Sequence, residues 1–447
     1  MNALLRRGAC PTLAAPMPTG DGLLIRLSPV SGGFSPKQLI GLCESAARHG
    51  NGIVEVTARG SCQFRGFSPA SAERFAEDVD LLGIAVRTGV PVETSPLAGM
   101  DPEEIGDAVT VAGRIRKGID AAGLTAKLGP KVSVVVNGGG RISLDDIAAD
   151  VRLTADQRDG KVLWHFALAG DAETSTQLGW YDDNGVVEAA TAVLLRIARQ
   201  GRDARARDVA PDLIMNRPET ANEAPLAAQA SHSGFDTYRL HADRHALPIS
   251  LPFGHIDATA LITFARTAEA LGVAEIRPAP ARSLLPICPS LEAARALREQ
   301  AAKLGFVTGP ADMRRSIVAC PGAPACASGK ITARAIADEV ARSLPPSAHD
   351  LSIHISGCEK GCARQSAADI TIVGDENGAG LVVHGTTKSK PLAYRSADGL
   401  AEAIAVVATK LHPERRSSIA KAGDGTTTAL SPVQTACLKA AFEQDGP

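Results

Sequence analysis

The stretch ACPGAPACASGK, Ala319 to Lys330, holds two cysteines six positions apart in a loop of prolines and glycines. About thirty residues further on, SGCEKGCARQS, Ser356 to Ser366, holds Cys358 and Cys362 four positions apart. Buried cysteines act as small hydrophobes in protein cores, but glycine-rich loops are not core. The pattern therefore predicts that two loops converge and that their four thiols bind one metal centre.

These four cysteines, Cys320, Cys326, Cys358 and Cys362, are flanked by glycine and alanine. Small residues leave room for a bulky inorganic core, and they free backbone N–H groups to hydrogen-bond its sulfide. Zinc is the competing metal, although its sites usually have tight knuckle spacings. The spacing favours an iron–sulfur cluster and leaves zinc open. The remaining cysteines stand alone in predicted helices or strands and are interpreted as buried hydrophobes: Cys10, Cys43, Cys62, Cys288 and Cys437.

Length, composition and charge describe an ordinary globular protein of two or three domains. The chain has 447 residues, 45% of them hydrophobic, and 47 Lys and Arg balance 49 Asp and Glu. This balance argues against a nucleic-acid partner. The amino-terminal residues lack a signal-peptide core, and no apolar run approaches the roughly 20 residues that span a bilayer. We therefore expect a cytoplasmic protein without a membrane partner, whose cysteines are thiols or metal ligands.

Two parts of the sequence share one order of elements. The first contains GLLIRLSP at residues 22–29, a helix with Ser35 as N-cap and Gly50 as its end, and the alternating segment GIVEVTARGSCQFRG at 52–66. The segment GHIDATALITFARTAEALGVAEIRPAPARSLLPI at 254–287 repeats strand, helix and strand about 220 residues later. This internal repeat predicts two homologous halves, of which the second carries the four-cysteine set.

Each repeat is followed by a longer α/β segment, and a Pro-, Ala- and Ser-rich linker joins the halves. A hairpin is predicted to pivot on Gly138, Gly139 and Gly140. Helices are predicted at residues 101–123, 184–201, 328–344 and 398–412. Strands are predicted at 349–356 and 369–375.

The pair Cys-x5-Cys and Cys-x3-Cys, in the second of two such halves, resembles the sulfite/nitrite reductase superfamily. There the four cysteines hold a 4Fe–4S cluster beside an isobacteriochlorin-type tetrapyrrole. VTARGSCQFRG at 56–66 is similar to the superfamily's strand whose arginine, here Arg59, grips tetrapyrrole carboxylates. KLGPKVSV at 127–134 resembles its later basic strand, with Lys131 at a matching position, and EIRPAPARSLL at 275–285 is similar to the second-half counterpart.

This resemblance implies an α+β or α/β fold of two pseudo-symmetric halves, each a ferredoxin-like half-domain plus an α/β domain. The expected half-domains are residues 1–90 and 236–305, the α/β domains 91–212 and 306–447, and the linker 213–235. The cluster would belong to the last of these domains.

Within the superfamily, the chain departs from the reductases, which typically read Cys-Pro-Asn-x-Cys where this chain reads CEKGC at 358–362. The opening RRGACPTLAAPMPTGDGLLIRLSP, together with ETSPLAG at 93–99, VVVNGGGRISL at 134–144 and SGCEKGCA at 356–363, resembles the precorrin-3B synthase family over nearly the whole chain. Members of that family are oxygen-dependent monooxygenases of aerobic cobalamin biosynthesis. The alternative is a sirohaem-dependent sulfite or nitrite reductase.

The family resemblance implies precorrin-3A as the substrate, a reduced tetrapyrrole with acetate and propionate carboxylates. The reaction hydroxylates the carbon that bridges rings A and D, and the ring-A acetate closes a γ-lactone. One oxygen atom derives from O2, and the electrons come ultimately from NADH. The implied cofactors are the 4Fe–4S cluster and a mononuclear non-haem iron without assigned ligands, with sirohaem under the alternative alone. A nicotinamide-binding fingerprint is absent, so a separate reductase or ferredoxin is the expected electron donor.

A polycarboxylate needs guanidinium and ammonium donors from both halves. The first candidates are Arg59 and Lys131. Further candidates, each of which could instead be a solvated surface charge, are Arg65, Arg87, Arg277 and Arg282. Lys360 would put a positive charge near the anionic cluster and the substrate carboxylates, or else extend into solvent. His354 is interpreted as a packed strand histidine rather than as a ligand.

Overall fold

The computed structural model describes residues 11–215, 235–421 and 431–443. The first ten residues, which include Cys10 and the start of the amino-terminal motif, lie outside the described residues, as does most of the predicted linker. None of the helices in the described ranges is both long and apolar enough to cross a membrane.

The two halves contain the following elements. The first half consists of β1 (Met17–Thr19), β2 (Gly22–Leu27), α1 (Pro36–His49), β3 (Ile53–Val56), β4 (Cys62–Phe67), α2 (Pro69–Leu81), β5 (Val92–Thr94), α3 (Ala108–Ala121), β6 (Val134–Asn137), β7 (Ala149–Arg158), β8 (Lys161–Gly170), β9 (Thr176–Tyr181), α4 (Asp183–Gln200) and α5 (Ala206–Met215). The second half consists of β10 (Tyr238–Arg239), β11 (His245–Ala246), β12 (Ile249–Ser250), β13 (His255–Asp257), α6 (Ala258–Ala270), β14 (Glu275–Ala279), β15 (Ser283–Cys288), α7 (Leu291–Lys303), β16 (Ile317–Ala319), α8 (Ala333–Ser343), β17 (Ile353–Ser356), β18 (Ala368–Asp375), β19 (Gly378–Gly385), β20 (Ala393–Arg395), α9 (Leu400–Lys421) and α10 (Pro432–Glu443).

The first helix begins where the sequence predicts. Ser35 accepts a hydrogen bond from the backbone N–H of Gln38, and the Gln38 side chain accepts one from the backbone of Ser35, so a capping box starts α1. Gly50 ends the helix, as predicted. The apolar face of α1 packs on the sheet that contains β2, β3 and β4, in one core with the buried side chains of α6.

The two ferredoxin-like repeats exchange backbone. The strand order β1-β2-β4-β3 is completed by β13 of the second half, which pairs antiparallel with β3. In return, the segment before α1 pairs with β14: the Phe34 N–H donates to the Ile276 carbonyl at 3.0 Å, and the Ile276 N–H donates to the Phe34 carbonyl at 2.8 Å. One hydrophobic core contains buried side chains from both repeats. The predicted boundary between the halves is therefore crossed in both directions by strand pairing.

The two α/β domains have the same topology. The first sheet has the order β5-β6-β7-β8-β9 and the second the order β16-β17-β18-β19-β20. In each sheet the first three strands are parallel and the last two are antiparallel to their neighbours. The predicted internal repeat and fold class are thus confirmed, while the residue boundaries of the four domains stay predictions.

Several local predictions were wrong, among them the start of the helix predicted from residue 328, which begins only at Ala333. The triple glycine at 138–140 is not the pivot of a hairpin, because β6 ends at Asn137 and its next neighbour, β7, runs parallel to it. Parallel neighbours need a crossover connection, so residues 138–148 form a loop instead. The helix predicted from residue 101 begins only at Ala108, where the Asp107 side chain accepts a hydrogen bond from the Thr110 N–H at 2.9 Å.

The isolated cysteines divide by burial. Cys43, Cys62 and Cys288 are buried in the core, as predicted. The prediction for Cys437 was wrong, because this residue is exposed on α10, a helix that buries Leu438, Ala441 and Phe442 instead.

Candidate functional site

A cleft lies between the first sheet and the two cysteine loops. Its cavity holds ≈ 300 Å³, and the cleft counted out to its open mouth encloses ≈ 1100 Å³. The four cysteines of the predicted ligand set all line it. Five cationic side chains also line it: Arg26, Arg65, Arg282, Arg334 and Lys360. The cavity therefore combines thiols and positive charge contributed by both halves.

The cysteines reach the cavity because of sheet topology. Cys320 follows β16 directly, and Cys358 comes two residues after the end of β17, which is parallel to β16. The carboxyl ends of adjacent parallel strands meet at one edge of a sheet, and ligands commonly bind at that edge. The two loops are joined there, since the Lys330 N–H donates to the Gly357 carbonyl at 2.7 Å.

The surroundings of the sulfurs are close-packed and polar. The Gly357 N–H donates to Cys320 Sγ at 3.1 Å. A Cβ at Gly357 would lie 2.9 Å from the Cα of Gly322, so this approach of the two loops requires glycine. Cys362 is exposed as a residue, yet partial burial of its thiol, together with the three other cysteines, raises its pKa, and Lys360 opposes this rise.

These residues fit a cluster better than a single ion. Among the described residues, no group of three or more His, Cys, Asp or Glu side chains converges closely enough to hold one metal ion. A 4Fe–4S cluster binds each thiolate to a different iron, so its ligands stand farther apart than those of one ion. Four thiols on one cavity, small neighbours and an N–H directed at sulfur match that requirement. The described residues do not offer a ligand set for the mononuclear non-haem iron.

A polar row crosses the first sheet on its cavity side. Strand register places Arg26, Gln63 and Glu55 side by side on β2, β4 and β3. Arg26 donates to Gln63 Oε1 through Nε at 2.9 Å and Nη2 at 2.6 Å, and Gln63 Nε2 donates to Glu55 Oε2 at 2.6 Å. Cross-strand neighbours of this kind are the unit of sheet stabilisation. The row fixes the orientation of the Arg26 guanidinium.

Glu55 is a buried carboxylate shared by the two halves. Arg334, on the first turn of α8, hydrogen-bonds its Oε1, and Arg65 Nη1 lies 3.7 Å from its Oε2. Burial alone would raise the pKa of Glu55, but the charges of Arg334 and Arg65 and the hydrogen bonds from Arg334 and Gln63 outweigh burial and lower it. Glu55 is therefore ionised and holds two cations at the cavity wall.

Arg65, a predicted substrate-binding residue, has its donors engaged within the protein. Its Nε and Nη2 each donate to an oxygen of Asp21 at 2.9 Å, and Nη2 also donates to the carbonyl of Ala325 at 2.7 Å. The Gly20 N–H donates to the same carbonyl at 3.1 Å. Ala325 precedes Cys326, so β4 and the β1–β2 turn hold one cysteine loop in place.

The other predicted binding residues divide into two groups. Arg282 and Lys360 line the cavity, whereas Arg59, Lys131, Arg87 and Arg277 are not among its lining residues. Arg59 is exposed and donates to the Ala148 carbonyl, and Lys131 is exposed three residues before β6. Arg87 pairs with Glu93 at 2.9 Å, and Arg277 pairs with Glu275 at 2.9 Å. Substrate binding by these residues stays a prediction.

Lys360 joins the two cysteine loops. Its Nζ donates to Ser328 Oγ at 2.7 Å. Two side chains hydrogen-bond to the backbone of the loop that contains Lys360. Gln365 Nε2 donates to the Gly361 carbonyl at 2.6 Å, and Thr387 Oγ1 donates to the Glu359 carbonyl at 2.8 Å. The ammonium group of this exposed lysine thus has a hydrogen-bond partner on the first cysteine loop.

Sequence reasoning missed Arg26, Gln63, Glu55 and Arg334. One signal was present: Glu55 interrupts an apolar strand at a position that alternates with Val54 and Val56, which is typical of a sheet with one polar face. Arg334 had no comparable signal, because it lies at the start of an ordinary helix.

His354 lies within β17 and is fully buried, and neither ring nitrogen has a hydrogen-bond partner among the described atoms. Burial, followed by the charges of Arg364 and Arg282, lowers its pKa to about 4. It is therefore neutral at pH 7, which agrees with a packed strand histidine. His255, opposite Glu55 in the sheet, has its pKa lowered to about 4 by burial and Arg334.

We expect the stability of the protein to fall as the pH drops from 6.5 toward 4. Below pH 6.5 the unfolded chain binds a proton at His354 that the folded chain does not bind, so folding becomes less favourable. At pH 5 this one residue should cost about 2 kcal/mol of unfolding free energy, and none above pH 7. Urea unfolding of wild type and His354→Gln at several pH values measures the effect. The variant should show a shallower pH slope, and an identical slope would contradict the expectation.

Comparisons with known proteins agree with this geometry. Residues 15–81 match the family model of the nitrite/sulfite reductase ferredoxin-like half domain. The sulfite reductase (ferredoxin) 2 of Mycolicibacterium paratuberculosis is 27% identical over 40% of this chain and 34% of its own length. The structure of the NirA protein of Mycobacterium tuberculosis superposes with a TM-score of 0.68, at 18% identity, over 91% of this chain and 82% of that one. This likeness confirms the fold.

A much stronger relationship covers the entire length. The precorrin-3B synthase of a Sinorhizobium species is 37% identical to this chain over 99% of the chain and 96% of that protein. The match includes both halves and both cysteine loops, so it cannot come from the shared half-domain alone. The chain belongs to the precorrin-3B synthase family, within the sulfite/nitrite reductase superfamily.

Proposed function

We propose that this protein is a precorrin-3B synthase, which hydroxylates precorrin-3A with O2 and forms the ring-A γ-lactone in aerobic cobalamin biosynthesis. One oxygen atom of O2 enters the product and the other leaves as water, which requires two electrons and two protons. NADH would be the ultimate electron source. The observation that carries the proposal is one cavity lined by four cysteines and five cations. Such a cavity suits a polyanionic substrate next to a redox centre.

The charges of the cavity support a polycarboxylate substrate. Glu55 is the one acidic side chain among the residues that line it, and it is already paired with Arg334 and Arg65. The positive charges of Arg282 and Lys360 come in addition to the two that it already balances. Guanidinium groups bind carboxylates through two parallel hydrogen bonds, which orients as well as attracts them. We retain Arg59 and Lys131 as proposed donors, and Arg59 follows Ala58, which lines the cavity.

We propose that Cys320, Cys326, Cys358 and Cys362 hold a 4Fe–4S cluster, which would supply one-electron transfer beside the substrate. The chain's own contribution is positional. Gly357 directs an N–H at Cys320 Sγ, and Arg65 and Gly20 hold the backbone next to Cys326. These contacts fix the backbone of both cysteine loops next to two of the proposed ligands.

We propose a separate electron donor that docks beside Cys362. The loop between β19 and β20 packs on the second cysteine loop through the Thr387 hydrogen bond, and it carries the exposed Lys388 and Lys390 just after Thr387. Exposed lysines next to an exposed ligand suit an acidic carrier, because complementary charge steers association. A ferredoxin or a reductase domain has the required chemistry.

Anaerobic purification followed by exposure to precorrin-3A and air tests the proposed function. We expect oxygen-dependent conversion to the hydroxylated lactone, with iron and acid-labile sulfide present and no sirohaem absorption. The alternative function is that of a sirohaem-dependent sulfite or nitrite reductase. The sulfite and nitrite reductases that support it are at most 29% identical to this chain. Sirohaem absorption together with sulfite reduction and no precorrin-3A conversion would overturn the proposal in its favour.

Replacing any one of the four loop cysteines by serine should abolish or severely destabilise the cluster, because a serine hydroxyl is a much poorer iron ligand than a thiolate. Iron and sulfide content and the EPR signal of the reduced protein measure this. Cys437→Ser is the matched control, since Cys437 is exposed on α10 and should leave the cluster intact. A full, unchanged EPR signal in Cys326→Ser would show that the assignment is wrong.

Lys360→Met should lower the midpoint potential of the cluster by on the order of 50 mV, because it removes a positive charge that favours the reduced, more negative form. Ser328→Ala is the companion variant, since it removes the Lys360 hydrogen bond but keeps the charge. Redox titration of both should separate the charge from the contact. Equal potentials in wild type and Lys360→Met would mean that the ammonium has no influence on the cluster.

A further inference from the structure

His354 is a buried polar side chain that the cavity described above does not use. It lies within β17, is fully buried, and neither Nδ1 nor Nε2 has a hydrogen-bond partner among the described atoms. A neutral imidazole carries one N–H donor and one acceptor nitrogen, and leaving both unpaired in the interior costs free energy. An apolar side chain would pack in this sheet without that cost, so packing alone does not explain a histidine at this position.

The side chain lies on the face of the sheet that leads to the cavity. Ile353 and Ile355 belong to the hydrophobic core that includes α8 and α9. Because successive side chains of a strand point to opposite faces, His354 and Ser356 share the other face. Ser356 lines the cavity and comes two residues, or about 7 Å, after His354 on β17. The cavity wall is thus one side-chain position away from the imidazole on this face.

Polar side chains continue on the same face in the opposite direction. Strand register places Thr371 of β18 beside His354, and alternation with the core residue Ile370 puts Asp369 on that face too. On β19, Nδ1 of His384 lies 3.7 Å from Asp369 Oδ1, and both side chains are partly exposed. Polar groups on one face of the sheet therefore extend from the surface, past His354, to the cavity.

The surroundings of His354 keep its ring neutral. Burial and, after it, the positive charges of Arg364 and Arg282 hold its pKa at about 4. A neutral imidazole can accept a proton at one nitrogen while it releases the proton bound to the other. One N–H bond forms as another breaks, so the ring has no charge before or after the transfer. A histidine whose two nitrogens are not engaged by the protein can therefore pass protons without becoming a stable cation.

We propose that His354 relays protons from the Asp369–His384 pair to the cavity, where the oxygenation consumes two protons for each O2. This inference rests on the proposed function. Side chains two residues apart on a strand are too distant for a direct hydrogen bond, so one water would bridge each step. A bridging water with polar partners on both sides would also satisfy the ring nitrogens. The competing explanation is a histidine that serves the fold alone.

Turnover of the cluster-loaded protein tests the relay. We expect His354→Leu and His354→Gln each to lower kcat roughly tenfold or more, with the Kd of precorrin-3A and the cluster content unchanged. The solvent deuterium isotope effect on kcat should rise, because proton delivery then limits the rate. His165→Gln is the matched control, a buried strand histidine of the first α/β domain, and it should turn over like wild type.

Stability separates the relay from a structural role. His354→Leu removes two unpaired polar atoms from the interior, so urea unfolding at pH 7 should find it at least as stable as wild type. A histidine that serves the fold alone would lose stability and activity together. That result, or wild-type kcat in both His354 variants, overturns the proposal.

Exchange of the ring N–H with solvent gives a measurement that needs no substrate. In the oxidised, cluster-loaded protein labelled with 15N-histidine, NMR should show the His354 ring N–H exchanging far faster than the backbone amides of β17, which lies between two paired strands. His384→Asn should slow this exchange, and the φ of 49° at this position suits asparagine.

The exchange measurement also decides the relay if wild type does not convert precorrin-3A and the proposed function fails. Rapid ring exchange that His384→Asn slows would support the proton path on its own. A ring N–H as protected as the β17 amides, or rapid exchange that His384→Asn leaves unchanged, would overturn it.

Discussion

The pairing of Glu55 with Arg334 and Arg65 is the interaction on which the cavity depends. A buried carboxylate is expensive unless it is paired and hydrogen-bonded, and here its partners come from opposite halves of the chain. Arg65 carries the connection further, to the carbonyl of Ala325 beside Cys326. The first half contributes no cysteine to the cavity. It nevertheless determines where one cysteine loop lies, and removal of Glu55 would leave two arginines facing each other across the interface.

The duplicated α/β fold shows why the cysteine site occurs on one side. In the first half, the loops after β5 and β6 close on themselves: the Arg141 N–H donates to Asp101 at 2.7 Å, and Arg141 Nη2 donates to Glu103 at 2.6 Å. In the second half, the equivalent loops after β16 and β17 carry cysteine and glycine and leave a cavity. Both α/β domains therefore have a carboxyl-terminal strand edge at which a ligand could bind. In the first half, ion pairs between loop residues fill this edge, whereas in the second half the small loop residues leave it open.

Local signals predicted what is local. The Ser35 cap, the end of α1 at Gly50 and the placement of the cysteines at strand ends all depend on residues close in sequence. The row of Arg26, Gln63 and Glu55 could not be predicted, because it requires the register of three strands. The Arg334–Glu55 contact spans 279 positions. The hairpin predicted at the triple glycine was wrong for a related reason. A hairpin and a crossover loop differ in the strand that pairs with β6, and local composition does not specify that strand.

The cationic side chains of the cavity are arginines where they are buried and lysine where they are exposed. Arginine is weakly hydrated and tolerates burial, whereas lysine keeps a compact, strongly hydrated charge. Arg65 and Arg334 are 4% and 15% exposed, whereas Lys360, which lines the same cavity, is exposed. An anion in the interior therefore meets planar forks that orient it. An electron-donor protein, as proposed above, would meet point charges that attract it without fixing its orientation. Under the proposed function, the buried arginines would therefore orient the substrate, and the exposed ammonium of Lys360 would act on it mainly through its charge.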